Sequence, residues 1–454
     1  MSRILLLGAG RSASSLIQYL LRYAPLEGWQ LTVADVQPAH LAPVLAAHAA
    51  YARAVPFDVH NESRLDELVA EAEVVVSMLP ALFHAPVARA CVRHGRHLAT
   101  ASYVSDDIRA LGPAAEAAGA TLLMECGLDP GLDHMSAMRV LADIRQQGGR
   151  VTSFKSYCGG LLAPEAEAGN LWRYKFTWNP RNVVLAGQGT AKYLEAGRLR
   201  FIPYQQLFAR LETVAVPGFG EFEGYANRDS LSYRAPYALE HVRTMLRGTL
   251  RRPGYCAAWQ QLVRLGLTDD AVQLGNPADL TWAELVAAYL PLPATANQPL
   301  PARVAAHLGL APESVEMQQL SWLGLFDAVP VGQADATPAQ LLEKLLTAKW
   351  ALAPTDRDMI VMQHQFEFEL DGHRHGRNSS VVVLGDDATH TAMAKTVGLP
   401  LGMAVRRLAT GQLRQRGVVI PTHPDLYEPI LDELAADYGI VFVEEEQGVL
   451  AASQ

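Results

Sequence analysis

In the first third of the chain, short apolar runs alternate with alanine-rich amphipathic stretches. Arg3–Gly8, Leu31–Ala34, Val74–Leu79, His97–Ala101 and Thr121–Met124 are too short for helices and read as buried strands, with a weaker strand expected at Ala52–Val55. Between them, Arg11–Tyr23, His40–Ala50, Glu62–Ala72, Phe83–Arg93 and Asp106–Ala118 read as helices. Strand then helix, repeated, predicts a parallel sheet covered on both faces, because right-handed crossovers place the helices there.

The pattern changes near Val151. Val151–Tyr157 alternates as a half-buried strand should, and Gly159-Gly160 follow. Leu161–Tyr233 is rich in Gly, Pro, Asn and aromatics, which predicts long pocket-shaping loops. From Tyr255 to Leu352 the spacing of Trp259, Leu262, Leu265, Leu285, Leu308, Trp322 and Leu341 is loosely helical, broken by proline-bearing turns. Asp358–Leu370 alternates as a strand again. Ser380–Leu384 is strand-like, Thr391–Val397 and Leu401–Leu408 read as two helices, and Ile440–Val443 as a late strand. The acidic run Glu444–Glu446 is expected to be solvated surface, and His373 and His375 to sit in a hairpin turn after Asp371-Gly372.

Composition narrows the class. At 454 residues the chain suits two or three domains, and with 50% hydrophobic residues it sustains a large core. A formal net charge of -9 argues against a nucleic-acid partner, since a phosphate backbone needs clustered Lys and Arg. No stretch has the length and apolarity of a membrane span or a signal peptide. Cys91, Cys126, Cys158 and Cys256 lie far apart without a C-x-x-C pair, which speaks against a metal site and for reduced thiols in a cytoplasm.

The first strand runs into Gly8-Ala9-Gly10-Arg11-Ser12-Ala13, a dinucleotide fingerprint with alanine at its third small position. Gly8 permits the tight turn, Gly10 lets the backbone approach a pyrophosphate, and Ala13 lets the helix pack close to the strand. The helix that starts at Arg11 offers unpaired N–H groups to the anion. The fold expected is α/β, an N-terminal Rossmann doubly wound parallel sheet. Asp35 closes the second strand where a carboxylate would accept from both ribose hydroxyls and repel a 2′-phosphate, and Val36, Gln37 and Pro38 bring no cation. NAD is therefore expected over NADP. Strand C-termini face the ligand crevice, so Asp58, Val59, Leu79 and Ala101 join the expected cofactor contacts. The loop after the sixth strand adds Gly127, Leu128, Asp129, Pro130, Gly131, Asp133 and His134.

Several stretches, in order, resemble saccharopine dehydrogenases of the glutamate-forming branch: Thr100–Ser105, Gly127–His134, Ser156–Leu161, Tyr174–Phe176, Ala226–Ser230 and Val242–Arg251. The resemblance covers nearly the whole chain and is weakest after Tyr255. It implies a Rossmann domain over 1–134 and 388–454, a second α/β substrate and dimerisation domain over 135–254 and 355–387, and a helical insertion over 255–354, in a homodimer. It also implies a reaction in which saccharopine, NAD(P) and water give glutamate and 2-aminoadipate 6-semialdehyde. Fungal relatives that use NADP carry a basic residue where this chain has Asp35, so the reaction is carried over and the cofactor is not.

Saccharopine has three carboxylates, and arginine grips a carboxylate with two parallel hydrogen bonds. Arg228 leads the candidates, with Arg247 and Arg251 flanking Gly248-Thr249; the plain alternative is structural pairing with Asp229 or Glu240. Ser102, Tyr103, Thr249 and Leu250 complete the expected substrate contacts. Oxidation at the carbon beside the secondary amine needs an acid/base group. Asp129 is the first candidate, with Tyr103 and Cys158 holding the attacking water. Each has a blander role open to it. Asp129 before Pro130 shapes a turn, Asp133 caps the following helix, His134 is buried, and Cys158 fills core. Two rival readings remain: a carboxynorspermidine dehydrogenase, whose polyamine substrate calls for acids where this chain has arginines, and a non-catalytic NAD-binding sensor.

Overall fold

In the computed structural model, residues 2–292 and 298–449 are described. The chain divides into two units, Met1–Val151 with Phe368–Gln454, and Thr152–Glu367. In the first unit lie β1 (Arg3–Leu7), β2 (Gln30–Asp35), β3 (Ala52–Pro56), β4 (Val74–Ser77), β5 (His97–Thr100) and β6 (Thr121–Leu123). They form a parallel sheet in the order β6-β5-β4-β1-β2-β3, extended beyond β6 by a strand from late in the chain, Gly417–Val419. This is the doubly wound order, with its reversal at β1 and β4. Leu5, Leu7, Val75, Leu98 and Leu122 carry the sheet into a core shared with Leu65, Leu68, Val87 and Ile108 of the covering helices.

Glu62–Glu71 and His84–His94 match the expected helices within a residue, while others are shifted or broken. The first begins with a 3-10 turn over Arg11–Ala13 and is α-helical from Ser14 to Glu27. His40–Ala50 contracts to Ala42–Ala46, and Asp106–Ala118 divides at Leu111, where Gly112-Pro113 opens a second short helix. Conversely, the two helices expected at Thr391–Val397 and Leu401–Leu408 are one, Ala392–Ala409, with Pro400 inside it. Gly398 and Gly402 of this helix lie against the first one. A Cβ on Gly398 would sit 2.7 Å from the Leu16 backbone nitrogen, and one on Gly402 would sit 2.7 Å from the Tyr19 ring. The glycines therefore set how closely the two helices approach.

In the second unit, β7 (Arg150–Leu162), β8 (Thr190–Glu195), β9 (Arg198–Pro203), β10 (Leu211–Val216), β11 (Gly220–Ala226), β12 (Thr244–Arg251) and β13 (Asp358–Leu370) build a mixed sheet ordered β10-β11-β12-β7-β13. β7 and β12 run parallel, and β8 pairs with β9 and touches β12. Leu161–Tyr233, which the sequence pattern assigns to long loops, holds two hairpins, turning at Ala196-Gly197 and Gly218. The glycines and prolines there punctuate strands. The aromatics of the same stretch are core: Trp172, Tyr174 and Phe176 pack edge-on against Trp350 with centroids 5.1–5.4 Å apart. β7 also outruns its expected end, because Gly159 passes so close to β12 that a Cβ would meet the Leu250 carbonyl at 2.7 Å.

The helices between Tyr255 and Trp350 lie in this unit, and residues 293–297 fall outside the described residues. Trp282–Ala288 opens with a capping box: the Thr281 hydroxyl accepts from Glu284 N–H, and the Glu284 carboxylate accepts from Thr281 N–H at 2.8 Å. Thr281→Ala is expected to cost about 1 kcal/mol, read as a lower urea midpoint with an unchanged slope.

The remaining strands are β14 (His373–Leu384), β15 (the Gly417–Val419 strand named above) and β16 (Val443–Val449). His373 and His375 open β14, with the turn itself at Asp371-Gly372; the His375 ring stacks on Phe368 at 5.5 Å. The late strand lies downstream of Ile440–Val443 and contains Glu444–Glu446, which pair with β14. All three acids are exposed, as expected of a solvated run, and two of them also meet a cation: the Arg377 guanidinium bonds Glu446 at 2.6 Å and Glu444 at 3.3 Å.

Candidate active site

The expected cofactor residues of the first unit stand along one edge of its sheet, since each follows or closes a parallel strand. Gly8 leaves β1 with φ +86°, a left-handed turn, and a Cβ there would press on the Met78 carbonyl at 3.2 Å. Gly10 is exposed, and nothing lies within 4 Å of where its Cβ would be. That open face is the space a pyrophosphate needs, beside the buried Ala13 and the start of the first helix, with Arg11 exposed and Ser12 half-buried. Asp35 closes β2 and reaches into the same turn: Oδ2 accepts from Ala9 N–H at 2.8 Å and Oδ1 from Gln37 N–H at 2.9 Å. A carboxylate has about four acceptor positions, so both oxygens retain capacity for a ribose. Asp58 follows β3 exposed, its Oδ1 accepting from His60 N–H at 3.0 Å, with Val59 half-buried. Leu79 and Ala101 follow β4 and β5, both half-buried.

Beyond β6 the chain makes a closed loop. Gly127 N–H donates to Pro130 O at 3.0 Å, Leu132 N–H to Gly127 O at 2.8 Å, and Asp133 N–H to Leu128 O at 3.0 Å. Gly127 packs on Ala101, where a Cβ would come within 2.7 Å of the Ala101 methyl. The loop leaves Asp129 half-buried at its tip, and the Tyr103 hydroxyl donates to Asp129 Oδ1 at 3.2 Å. The acid/base candidate and one of the two groups expected to hold the water thus touch. Asp133 is buried in the first turn of Leu132–Gln146, and its Oδ1 accepts from Gly131 N–H at 2.6 Å; it is the second residue of the helix, whose N-cap is Gly131, so it ties the turn before the helix and does not cap it. His134 is fully buried, with Nε2 at 2.9 Å from Glu125 Oε2.

Glu125 escapes the sequence reading. It is buried at φ +56° and also accepts from Val104 N–H at 2.9 Å, tying the Tyr103 segment to the loop. The signal is one acid inside the apolar run Met124-Glu125-Cys126. His84 escapes as well. It opens the helix His84–His94, 2% exposed, with Nε2 at 2.7 Å from Ser102 Oγ.

The other candidates belong to the second unit. Cys158 is buried in β7 and pairs in register with the half-buried Thr249 of β12. Arg228 is exposed at φ +46°, and its carbonyl accepts from Lys192 N–H at 2.8 Å. The neighbouring Asp229 bridges to Lys192 at 2.8 Å. Arg247 is buried with its guanidinium 4.4 Å from the Tyr233 ring centroid. Arg251 is buried among the rings of Tyr174, Tyr225 and Tyr255 at 5.1–5.9 Å and donates to the Leu250 carbonyl at 2.8 Å. These are cation–π contacts on aromatic faces. Among the described residues, no group of three or more His, Cys, Asp or Glu is placed to hold a metal, and no helix is long and apolar enough to cross a membrane.

Residues 4–123 match the family model described as saccharopine dehydrogenase NADP binding domain, and residues 127–440 match saccharopine dehydrogenase C-terminal domain. The saccharopine dehydrogenase [NADP(+), L-glutamate-forming] of Saccharomyces cerevisiae is 35% identical over 97% of this chain and 98% of its own length. The mitochondrial alpha-aminoadipic semialdehyde synthase of Bos taurus is also 35% identical over 97% of this chain, which spans 47% of that longer protein. Among solved structures, the apo histidine-tagged saccharopine dehydrogenase (L-Glu forming) from Saccharomyces cerevisiae superposes with a TM-score of 0.87 at 31% identity, covering 98% of this chain and 100% of that one. A homospermidine synthase from Legionella pneumophila, in complex with NAD, shares the fold, with a TM-score of 0.57 at 10% identity over 98% of this chain and 91% of that one.

Proposed function

Since the chain belongs to the saccharopine dehydrogenase family, we propose that it oxidises saccharopine with NAD and water to L-glutamate, 2-aminoadipate 6-semialdehyde and NADH. Such a reaction belongs to lysine metabolism. The observation that carries the reading is the Tyr103–Asp129 hydrogen bond, made on the same sheet edge as the Gly8–Gly10 turn. A bound nicotinamide would supply the hydride acceptor for the carbon beside the secondary amine. The substrate's own C–N bond becomes an imine, water adds to it, and the carbinolamine splits into aldehyde and amine. Asp129 takes the proton released, Tyr103 orients it, and Cys158 lines the water's position. Arg228 is assigned to a substrate carboxylate, with Ser102, Thr249, Leu250 and Arg251 as the further substrate residues.

The choice of NAD rests on Asp35. The named relatives are NADP(+) enzymes, whereas here a carboxylate is pinned at the mouth of the glycine turn by Ala9 and Gln37. A 2′-phosphate placed there would meet like charge. Asp35→Ala is expected to shift the ratio of kcat/KM for NADP over NAD upward by about tenfold, which is ~1.4 kcal/mol. Absorbance assays with saccharopine and each cofactor test both points. Reduction of NAD with glutamate appearing supports the whole reading, and reduction of NADP alone overturns the argument from Asp35. Tight NAD binding with no turnover would leave a sensor. A cytoplasmic, homodimeric protein is part of the same proposal; Cys91, Cys126, Cys158 and Cys256 are buried and joined in no disulfide, as a reducing compartment would leave them, and gel filtration tests the dimer.

A further inference from the structure

We propose that His84 is a positioning residue that holds Ser102 as a hydrogen-bond donor, so that Ser102 selects a carboxylate oxygen of the substrate and disfavours an ammonium group. The inference rests on the saccharopine reading above and names the residues that tune it.

Three side chains of the first unit stand in line. Ser77 closes β4 fully buried, with Oγ 2.9 Å from His84 Nδ1, and His84 Nε2 lies 2.7 Å from Ser102 Oγ. An imidazole that is neutral donates at one nitrogen and accepts at the other. Burial settles its charge: the pKa of His84 is pushed down to about 4 by desolvation, so it is neutral in the physiological range. Ser77 then decides which nitrogen carries the proton. Among the described residues, Ser77 Oγ has no hydrogen-bond partner but His84 Nδ1. Were Nδ1 the donor, the buried Ser77 hydroxyl would keep a proton with nothing to receive it, which is the costly state for a buried polar group. Ser77 therefore donates to Nδ1, and Nε2–H donates to Ser102 Oγ.

The consequence falls on Ser102. Its hydroxyl oxygen already accepts from His84, and its own O–H is left to give away. A carboxylate accepts that proton; an ammonium, which has only protons to offer, is confined to the oxygen's one remaining lone pair and leaves the O–H proton unreceived. Saccharopine, besides its two amines, offers carboxylates that a polyamine lacks, so the Ser77–His84–Ser102 chain favours the first class of substrate.

Steady-state kinetics with saccharopine on the full chain, with NAD saturating, test this. His84→Phe is expected to raise KM about tenfold with kcat within about threefold. His84→Gln is expected to recover most of the loss, since its amide N–H reaches where Nε2–H stood, whereas His84→Asn, which reaches only toward Ser77, is not. In a Ser102→Ala background His84→Phe is expected to cost nothing further, because the route through Ser102 is already cut. Equal behaviour of the Gln and Asn variants, an unchanged KM in His84→Phe, or losses that add in the double variant would each overturn the proposal. If His84→Phe fails to fold, the comparison of Gln with Asn decides alone. A wild-type protein that binds NAD but does not oxidise saccharopine overturns the substrate reading and this inference with it; an active wild type with unaffected variants overturns the inference only.

Discussion

Asp129→Asn is expected to lower kcat for saccharopine oxidation by about 10²–10⁴, the usual contribution of a positioned acid/base group, with NAD affinity within about twofold of wild type. The substitution is close to isosteric, and an amide oxygen still accepts the Tyr103 hydroxyl bond seen at 3.2 Å. What it removes is the ability to take a proton. The loop around it is closed by backbone bonds among Gly127, Leu128, Pro130, Leu132 and Asp133, none of which uses the Asp129 side chain, so the geometry persists. Tyr103→Phe should cost less, about tenfold, because it loses the orienting bond and keeps the base. Single-turnover absorbance traces separate the chemical step from cofactor release. A loss in Asp129→Asn of less than about tenfold would move proton transfer to another group.

The second large effect is structural. Gly131 has φ +143°, and a Cβ built there falls 2.2 Å from the Gly127 nitrogen and 2.3 Å from the Gly127 oxygen. Both obstacles are backbone, in a loop that is already closed, so no flexible side chain can move aside. Gly131→Ala is therefore expected to cost at least ~4 kcal/mol, among the largest single-site losses, with a strongly reduced urea midpoint or insoluble protein. Gly10→Ala is the contrasting case. Its φ of -72° suits any residue and its Cβ meets nothing, so the fold should tolerate it while NAD binding weakens, since the methyl occupies the space left for pyrophosphate. Chemical denaturation and cofactor titration, run on both variants, distinguish a glycine needed by the chain from one needed by the ligand.

Much of the first unit is legible in the sequence because its rules are local. Leu5, Val33, Val75 and Leu98 sit in short apolar runs that admit one reading, and Gly8 to Ala13 follow directly from the first of them. The second unit is harder, since its hairpins at Thr190–Pro203 and Leu211–Ala226 are rich in Gly, Arg and Glu, and their strands expose one face. Alternation there is weak, and turn residues outweigh it. Among the site residues, Asp35 and Asp129 announce themselves by position after a strand. Glu125 and His84 do not, because what marks them is burial and a partner on another element: His134 for the one, Ser77 and Ser102 for the other. Residue type alone leaves a histidine at a helix start and a glutamate in an apolar run as unremarkable events. The arginines show the opposite difficulty. Arg228 and Arg251 look alike as cations in sequence, yet one lies exposed in a left-handed turn and the other is walled in by three tyrosine rings.

The first unit is assembled from both ends of the chain, and this has a bearing on its birth at the ribosome. β6 acquires its outer neighbour only when Gly417–Val419 emerges, and the helix Ser14–Glu27 acquires the Gly398–Gly402 face only slightly earlier. Until then, hundreds of residues after the glycine turn has formed, the nascent sheet has an open edge and its first helix lacks a partner. The Thr152–Glu367 unit, by contrast, is continuous and is free to complete itself while synthesis goes on. The part of the molecule that is synthesised first is therefore finished last, and the long interval is when an exposed strand edge is open to wrong pairings or to a chaperone.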